Sequence, residues 1–399
     1  MAFTLPGADS VKVHMDRSKK IKIGWLIPYS GIFRNLRMDL QQGLDTALKK
    51  ERAGVAITAY PEYVRAGAVK ETEEALKKLL LYERVDLVIG VLSTKTCNGI
   101  IPLLENHRTP ALILNLGADL PTRQLSSAYL FYNSLHLWKS EWAIGKWMQK
   151  KYGGEPSINM SIYESGYSLH NSFRIGTSVS GAATVKMNIV RNITGPPDTR
   201  PLIEFIRDQQ PKHAHILLSG KEGEQFLQLF YEQNLSPPPG LSVNPFMVED
   251  LQTKIPPGSD LYNATTWCKT LDTPGNRVFV QEYTTAWLES PNAFALLAYE
   301  AGLVLAAALE NSDQKISPEK IAALLGQVHP AGPRGVFSVS TQPFLSDLPV
   351  YIRKPVISTR TGIFENSIVQ TTSGIEWDDP MLLAEQEQAT GWQNPYLCV

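Results

Sequence analysis

Residues Ile21 to Gly31, IKIGWLIPYSG, are a short apolar run closed by a polar turn, and Phe33, Arg34 and Arg37 follow at once. Two guanidinium groups in one turn would hold a carboxylate bidentately if they faced a cleft; facing water, they would mean little. Phe33 would pack on a ligand or on its own domain. A second polar turn closes the run AHILLSG. There Lys221 suits an anionic group and Glu222 a cationic one, or both are solvated charges at a helix start. This is the chemistry of binding. The chain has no P-loop, no Gly-x-Gly-x-x-Gly after a strand, no His-Glu-x-x-His and no Gly-x-Ser-x-Gly elbow. His213 and His215 alternate and share one strand face, but two histidines alone make a weak metal site and read as structural. No cofactor or metal is expected.

The elements that must position these turns follow one rhythm. An apolar run too short for a helix, a turn, then apolar residues at helical spacing (Leu40, Leu44, Ala47, Leu48) open a β-α-β unit. Strands are predicted at Val55–Tyr60, Val85–Gly90 and Pro110–Leu116, with helices over Lys70–Glu83 and from near Thr96. A second set follows: helix Leu137–Lys151, strand Ile158–Tyr163, helix His170–Thr177, strand Ala183–Val190, helix Pro201–Gln209, strand Ala214–Ser219 and helix Glu222–Gln233. Helices at Arg277–Leu288, Pro291–Leu309 and Pro318–Leu325 come next. Strand-like pieces at Gly335–Ser340 and Pro349–Pro355 come last, with an unassigned tail after Thr371. The alternation predicts parallel sheets covered by helices on both faces. Ligands in such folds sit at the carboxyl ends of the strands.

The 399 residues suffice for two lobes, each with its own core. A formal net charge of -1 and the absence of a basic block argue against nucleic acid as a partner. The longest apolar stretch, Ala293–Leu309, is broken by Tyr299 and Glu300 and reads as a buried helix. The first twenty residues are polar and have no continuous apolar core, so they are not a signal peptide as they stand. Either the protein stays in the cytoplasm or a leader has been removed. Cys97, Cys268 and Cys398 show no metal-ligand or redox spacing and read as buried or inert thiols, with one disulfide and one free thiol the alternative after export. Glycosylation sequons at Asn159, Asn192 and Asn263 would matter only in a eukaryotic secretory setting.

Taken in order, IKIGWLIPYSG, VDLVIGVLST, TPALILNLGADLP, SIYESGYSLHNSF, RPLIEFIRDQQPKHAHILLSGKEGEQFLQLFYEQNL and VFVQEYTTAWLESPNAFALLAYEAGLVLAAAL resemble the type I periplasmic binding proteins. The nearest branch is the leucine/isoleucine/valine-binding receptors of branched-chain amino-acid ABC importers. The likeness runs from Ile21 to Pro355. It implies two Rossmann-like lobes joined by a three-crossover hinge that closes on a small ligand. The lobes are expected at 1–135 plus 270–333 and at 136–269 plus 334–399.

The resemblance also implies site residues. A hydroxyl after the third strand of the first lobe binds the ligand carboxylate in this family; Ser93 and Thr94 occupy that turn, where they would also cap a helix. The next strand-end turn usually presents small residues and a threonine. Here it is Asn115, Leu116 and Gly117, and the missing hydroxyl weakens the case for a plain amino-acid ligand. Tyr167 matches the family's turn tyrosine in the second lobe. Glu249 or Asp250 lies near the acidic partner of the ligand amine. The function implied is an extracytoplasmic, periplasmic or lipid-anchored, solute-binding protein without catalysis. Its partners would be a small amino acid, amide or carboxylate and an ABC permease with its ATPase. A cytoplasmic amide sensor or a receptor ligand-binding domain of the same fold is the alternative.

Overall fold

The computed structural model describes residues 19–50, 55–120, 126–191, 197–235, 239–249, 255–256, 258–310, 316–342, 348–358, 362 and 364–372. Strands β1 (Lys19–Ile27), β2 (Val55–Tyr63), β3 (Leu87–Gly90), β4 (Ala111–Asn115) and β5 (Leu130–Ser134) form a parallel sheet in the order β2-β1-β3-β4-β5. Helices α1 (Leu36–Lys50), α2 (Val69–Lys78) and α3 (Thr94–His107) make its crossovers. The helix expected over Lys70–Glu83 leaves α geometry at Leu79 and ends in a π turn, Leu79–Glu83, with Arg84 left-handed behind it. Strand β4 shows why these runs are continuously apolar. Ala111 and Ile113 pack with Leu76, Leu79, Cys97, Ile100 and Leu104 on one face, while Leu112 and Leu114 pack on the other. A strand covered on both sides has no polar face to alternate. Each fully buried Leu or Ile contributes roughly 1.5–3 kcal/mol.

The chain then crosses into a second unit. It runs α4 (Leu137–Tyr152), β6 (Ser157–Ser161), α5 (Leu169–Ser178), β7 (Lys186–Val190), α6 (Arg200–Gln209), β8 (His213–Leu217), α7 (Gly220–Glu232), β9 (Gly240–Val243) and β10 (Leu261–Thr265). It returns through α8 (Pro274–Trp287), α9 (Ala293–Glu310), α10 (Pro318–Leu325) and a hairpin of β11 (Ala331–Gly332) and β12 (Gly335–Val336). It crosses once more to end in β13 (Val350–Ile357) and β14 (Phe364–Thr372). The second sheet is ordered β14-β13-β10-β9-β8-β6-β7; β13 and β14 are antiparallel additions to a parallel core with the connectivity of the first sheet. Before its last crossing the chain still touches the first sheet, where Ser340 bridges Tyr132.

Helix α9 is long and apolar enough to cross a membrane by length and composition, but most of it is buried in the fold. It lies against α1 so closely that a Cβ at Gly43 would sit 2.2 Å from the carbonyl oxygen of Ala295. His213 and His215 are buried structural residues: His213 meets Gln149 at 2.9 Å, and His215 stacks on Phe173 at 4.0 Å. Asn159 and Asn263 are buried inside strands, whereas Asn192 lies outside the described residues. Cys97 and Cys268 are buried free thiols; Cys398 lies outside the described residues.

Candidate functional site

The parallel strands of both sheets end at turns that meet across the lobes. After β1, the Ser30 hydroxyl accepts the Phe33 amide at 2.9 Å and curls the chain back, leaving Phe33 half-buried. Its ring meets Phe294 of α9 edge-on at 4.9 Å and, from the other lobe, Phe246 at 5.4 Å. Phe246 is held in a short turn after β9, where the Asn244 side chain accepts its amide at 3.0 Å. Such edge-to-face aromatic pairs add about 0.5–1.5 kcal/mol to simple burial. The lobes also come together at two other turns. The Ser168 amide donates to the Ala118 carbonyl at 3.1 Å, and a Cβ at Gly220 would lie 3.7 Å from the Ile32 side chain.

Polar groups gather around these contacts. Ser93 is buried at the N-terminus of α3, where its hydroxyl accepts the Thr96 amide at 3.2 Å. Thr94, half-buried, is the first residue of that helix. Asn115 ends β4, and its Oδ1 is buried without a hydrogen-bond partner. Leu116 is buried, and Gly117 takes φ +65°, its backbone pressed on His136 and Ser134. From the second lobe come Tyr163 and Tyr167, whose hydroxyls bond at 2.6 Å. Glu164 lies between them in sequence, buried and accepting the Ser219 hydroxyl.

Two buried carboxyl groups stand at these turns. Burial pushes Asp119 up to about 7, opposed only by the Ser168 backbone. Burial likewise pushes Glu164 up to about 7; the Ser219 hydrogen bond opposes the shift, and nearby Glu222 and Glu141 add to it. His136 is held well below its ordinary value by burial and by the Arg334 and Lys139 cations, so it stays neutral. Its Nδ1 is also without a partner.

The structure thus brings Phe33, Ser93, Thr94, Asn115, Leu116, Gly117 and Tyr167 to the facing strand ends. The cationic candidates follow the same turns in sequence but are exposed. Arg34 and Lys221 are exposed, and Arg37 is exposed with its guanidinium bonded to the Tyr63 hydroxyl at 3.0 Å. Glu222 is half-buried in the first turn of α7. Glu249 pairs with the buried Arg353 at 2.5 Å, and Asp250 lies outside the described residues. Phe246, Asp119, Glu164 and His136 were not foreseen. Asp119 and Glu164 each stand just past the end of a predicted apolar strand, and that position alone would have nominated them. No group of three His, Cys, Asp or Glu suited to a metal occurs among the described residues.

Two α/β lobes meeting at their strand ends through three crossovers define a two-lobed binding fold. The sequence profile described as periplasmic binding protein matches residues 20–345, and the chain belongs to that family. Solved structures share the fold at low identity. An ABC transporter substrate-binding protein from Sphaerobacter thermophilus is 19% identical with a TM-score of 0.75, over 89% of this chain and 98% of that one. An ABC transporter solute binding protein from R. palustris, in complex with benzoate, is 21% identical with a TM-score of 0.73, over 90% and 98%. The branched-chain amino acid transporter substrate binding protein from Streptococcus pneumoniae, in complex with isoleucine, is 14% identical with a TM-score of 0.68, over 89% and 99%. No curated protein matches the sequence.

Proposed function

We propose that this protein is the extracytoplasmic solute-binding component of an ABC importer, which captures a small polar ligand between its lobes and delivers it to a permease and ATPase. We assign the lobes close to the boundaries expected from the sequence, 1–135 plus 270–333 and 136–269 plus 334–399, with the last boundary moved beyond Ser340, which still pairs with Tyr132 of the first sheet. The observation that carries the reading is the meeting of strand ends from both lobes at Phe33–Phe246 and Ala118–Ser168. Closure of this kind turns binding into a shape that a membrane partner can read. Its role is binding without chemical turnover.

Ser93, Thr94, the α3 N-terminus and Asn115 supply the polar contacts, and Phe33, Phe246 and Tyr167 supply buried area. Arg34 and Lys221 are exposed and Arg37 already bonds the Tyr63 hydroxyl, so the reading does not rest on these cations holding a carboxylate. Asp119, Glu164 and the Asn115 acceptor favour a ligand that donates N–H bonds, such as an amino acid or amide.

A thermal-shift screen tests this on protein unfolded and refolded to remove carried-over ligand. The panel holds amino acids, amides, urea, benzoates and small dicarboxylates. A ligand that binds only the folded state raises the melting temperature by mass action. A shift with an amino acid or amide supports the reading, and a flat response across the panel contradicts it.

A further inference from the structure

Away from the cleft, the C-terminal half of α4 and the edge strand β14 enclose a groove of about 280 Å³. Trp142, Lys146, Trp147 and Lys150 line it from the helix, and Gln370 and Thr371 from the strand. No carboxylate lines it. Trp142 is 4% exposed, and its indole Nε1 is buried with no hydrogen-bond partner. An unpaired buried N–H costs free energy that an incoming acceptor recovers. The Lys146 ammonium lies 4.6 Å from the centre of the Trp142 ring, and Lys150 is exposed on the same wall of the groove. Trp147 is fixed by its own hydrogen bond to Gln370 at 2.8 Å. One groove is thus lined by two lysines, an unpaired indole N–H and aromatic rings, the residue types suited to an anion with a flat apolar body.

We propose that this groove is a second ligand site, separate from the interlobe cleft, which takes the carboxylate of a small organic acid between the Trp142 indole N–H and the Lys146 and Lys150 ammoniums. The site needs no lobe motion, since α4 and β14 belong to one lobe.

The test is an NMR titration of full-length protein labelled with nitrogen-15 at its eight tryptophans. The Trp142 indole resonance is identified by its loss in Trp142→Phe, or in Trp142→Tyr if the first variant does not fold. Benzoate is the probe, with benzylamine and chloride at equal ionic strength as controls. The expected result is a saturable shift of the Trp142 resonance with benzoate alone. In the double variant Lys146→Gln, Lys150→Gln the affinity read at that resonance falls about tenfold with the melting temperature unchanged. Benzoate binding in the cleft would leave this dependence on the two lysines absent, so the two sites are told apart. A Trp142 resonance that does not move overturns the proposal. So does one that moves equally with chloride, marking an adventitious ion only, or one indifferent to the lysine substitutions.

Discussion

The Arg334 guanidinium and the Glu300 carboxylate meet at 2.5 Å, both shielded from solvent, where the lobes join. The same guanidinium donates to the Ser134 carbonyl at 2.7 Å and to Asn133 Oδ1 at 2.7 Å on the first crossover. It also donates to the Thr266 hydroxyl at 3.3 Å on the second, while Arg334 itself stands in the hairpin that precedes the third. One side chain therefore ties all three crossovers together. Removing a single partner leaves a buried charge uncompensated. We expect Glu300→Gln or Arg334→Met to cost roughly 3–5 kcal/mol each, with the double variant costing much less than their sum. Urea unfolding in a double-mutant cycle measures this, and additive losses would contradict the pairing.

Glu164 sets a pH dependence. Its carboxyl rises from an ordinary 4.5 to about 7 on folding, chiefly through burial. Between those values the folded protein holds a proton that the unfolded chain releases, so stability falls as pH rises from about 4.5 to about 7 and levels off above. Asp119 acts in the same direction. Glu164→Gln should flatten about half of this slope and stabilise the protein at pH 8 by on the order of 1–3 kcal/mol. Melting temperatures from pH 4.5 to 8.5 decide it. A wild-type curve that rises across this window refutes the assignment.

Gly117 has φ +65°, and a Cβ there would lie 2.7 Å from the His136 Cα. Both the left-handed backbone and the close approach oppose a side chain. Gly117→Ala should destabilise by roughly 1–3 kcal/mol in chemical denaturation. A neutral effect would show that this turn can move away from the first crossover without cost.

Burial pushes the Cys97 thiol up to about 12, and Cys268 is buried as well. A thiol is reactive only as the exposed thiolate. In the native protein neither should react with Ellman's reagent over minutes, and both should react once denaturant is added. Mass spectrometry of the labelled peptides identifies them.

The β-α rhythm was readable because parallel strands covered on both faces are short apolar runs. Strands β5, β9, β10 and β14 escaped that reading for a physical reason. Asn133 in β5 is a buried polar residue that bonds Glu300 at 3.0 Å, far away in sequence. Asn263 in β10 bonds Arg353 at 2.7 Å and Asn366 of β14 at 2.9 Å. Such residues lower the apparent strand signal, and only long-range partners make them affordable in a core. Strand β9 is only four residues long and follows the run Pro237-Pro238-Pro239 in sequence, and β14 is a half-exposed edge. Within the site, turn positions were legible from where apolar runs end. Side-chain direction was not: Arg37 turns to Tyr63 and Glu249 to Arg353, contacts that depend on neighbours distant in sequence.

Hinge closure is the central claim, and a distance between the lobes tests it most directly. Spin labels at Lys77→Cys on α2 and Glu224→Cys on α7, both exposed positions, report that distance in a Cys398→Ser background. The measurement is pulsed electron-electron resonance on refolded protein, with and without the compound that gives the largest thermal shift. The account predicts a broad or longer distance without the compound and a single shorter one with it. An identical distribution in both states, with the compound demonstrably bound, would contradict it.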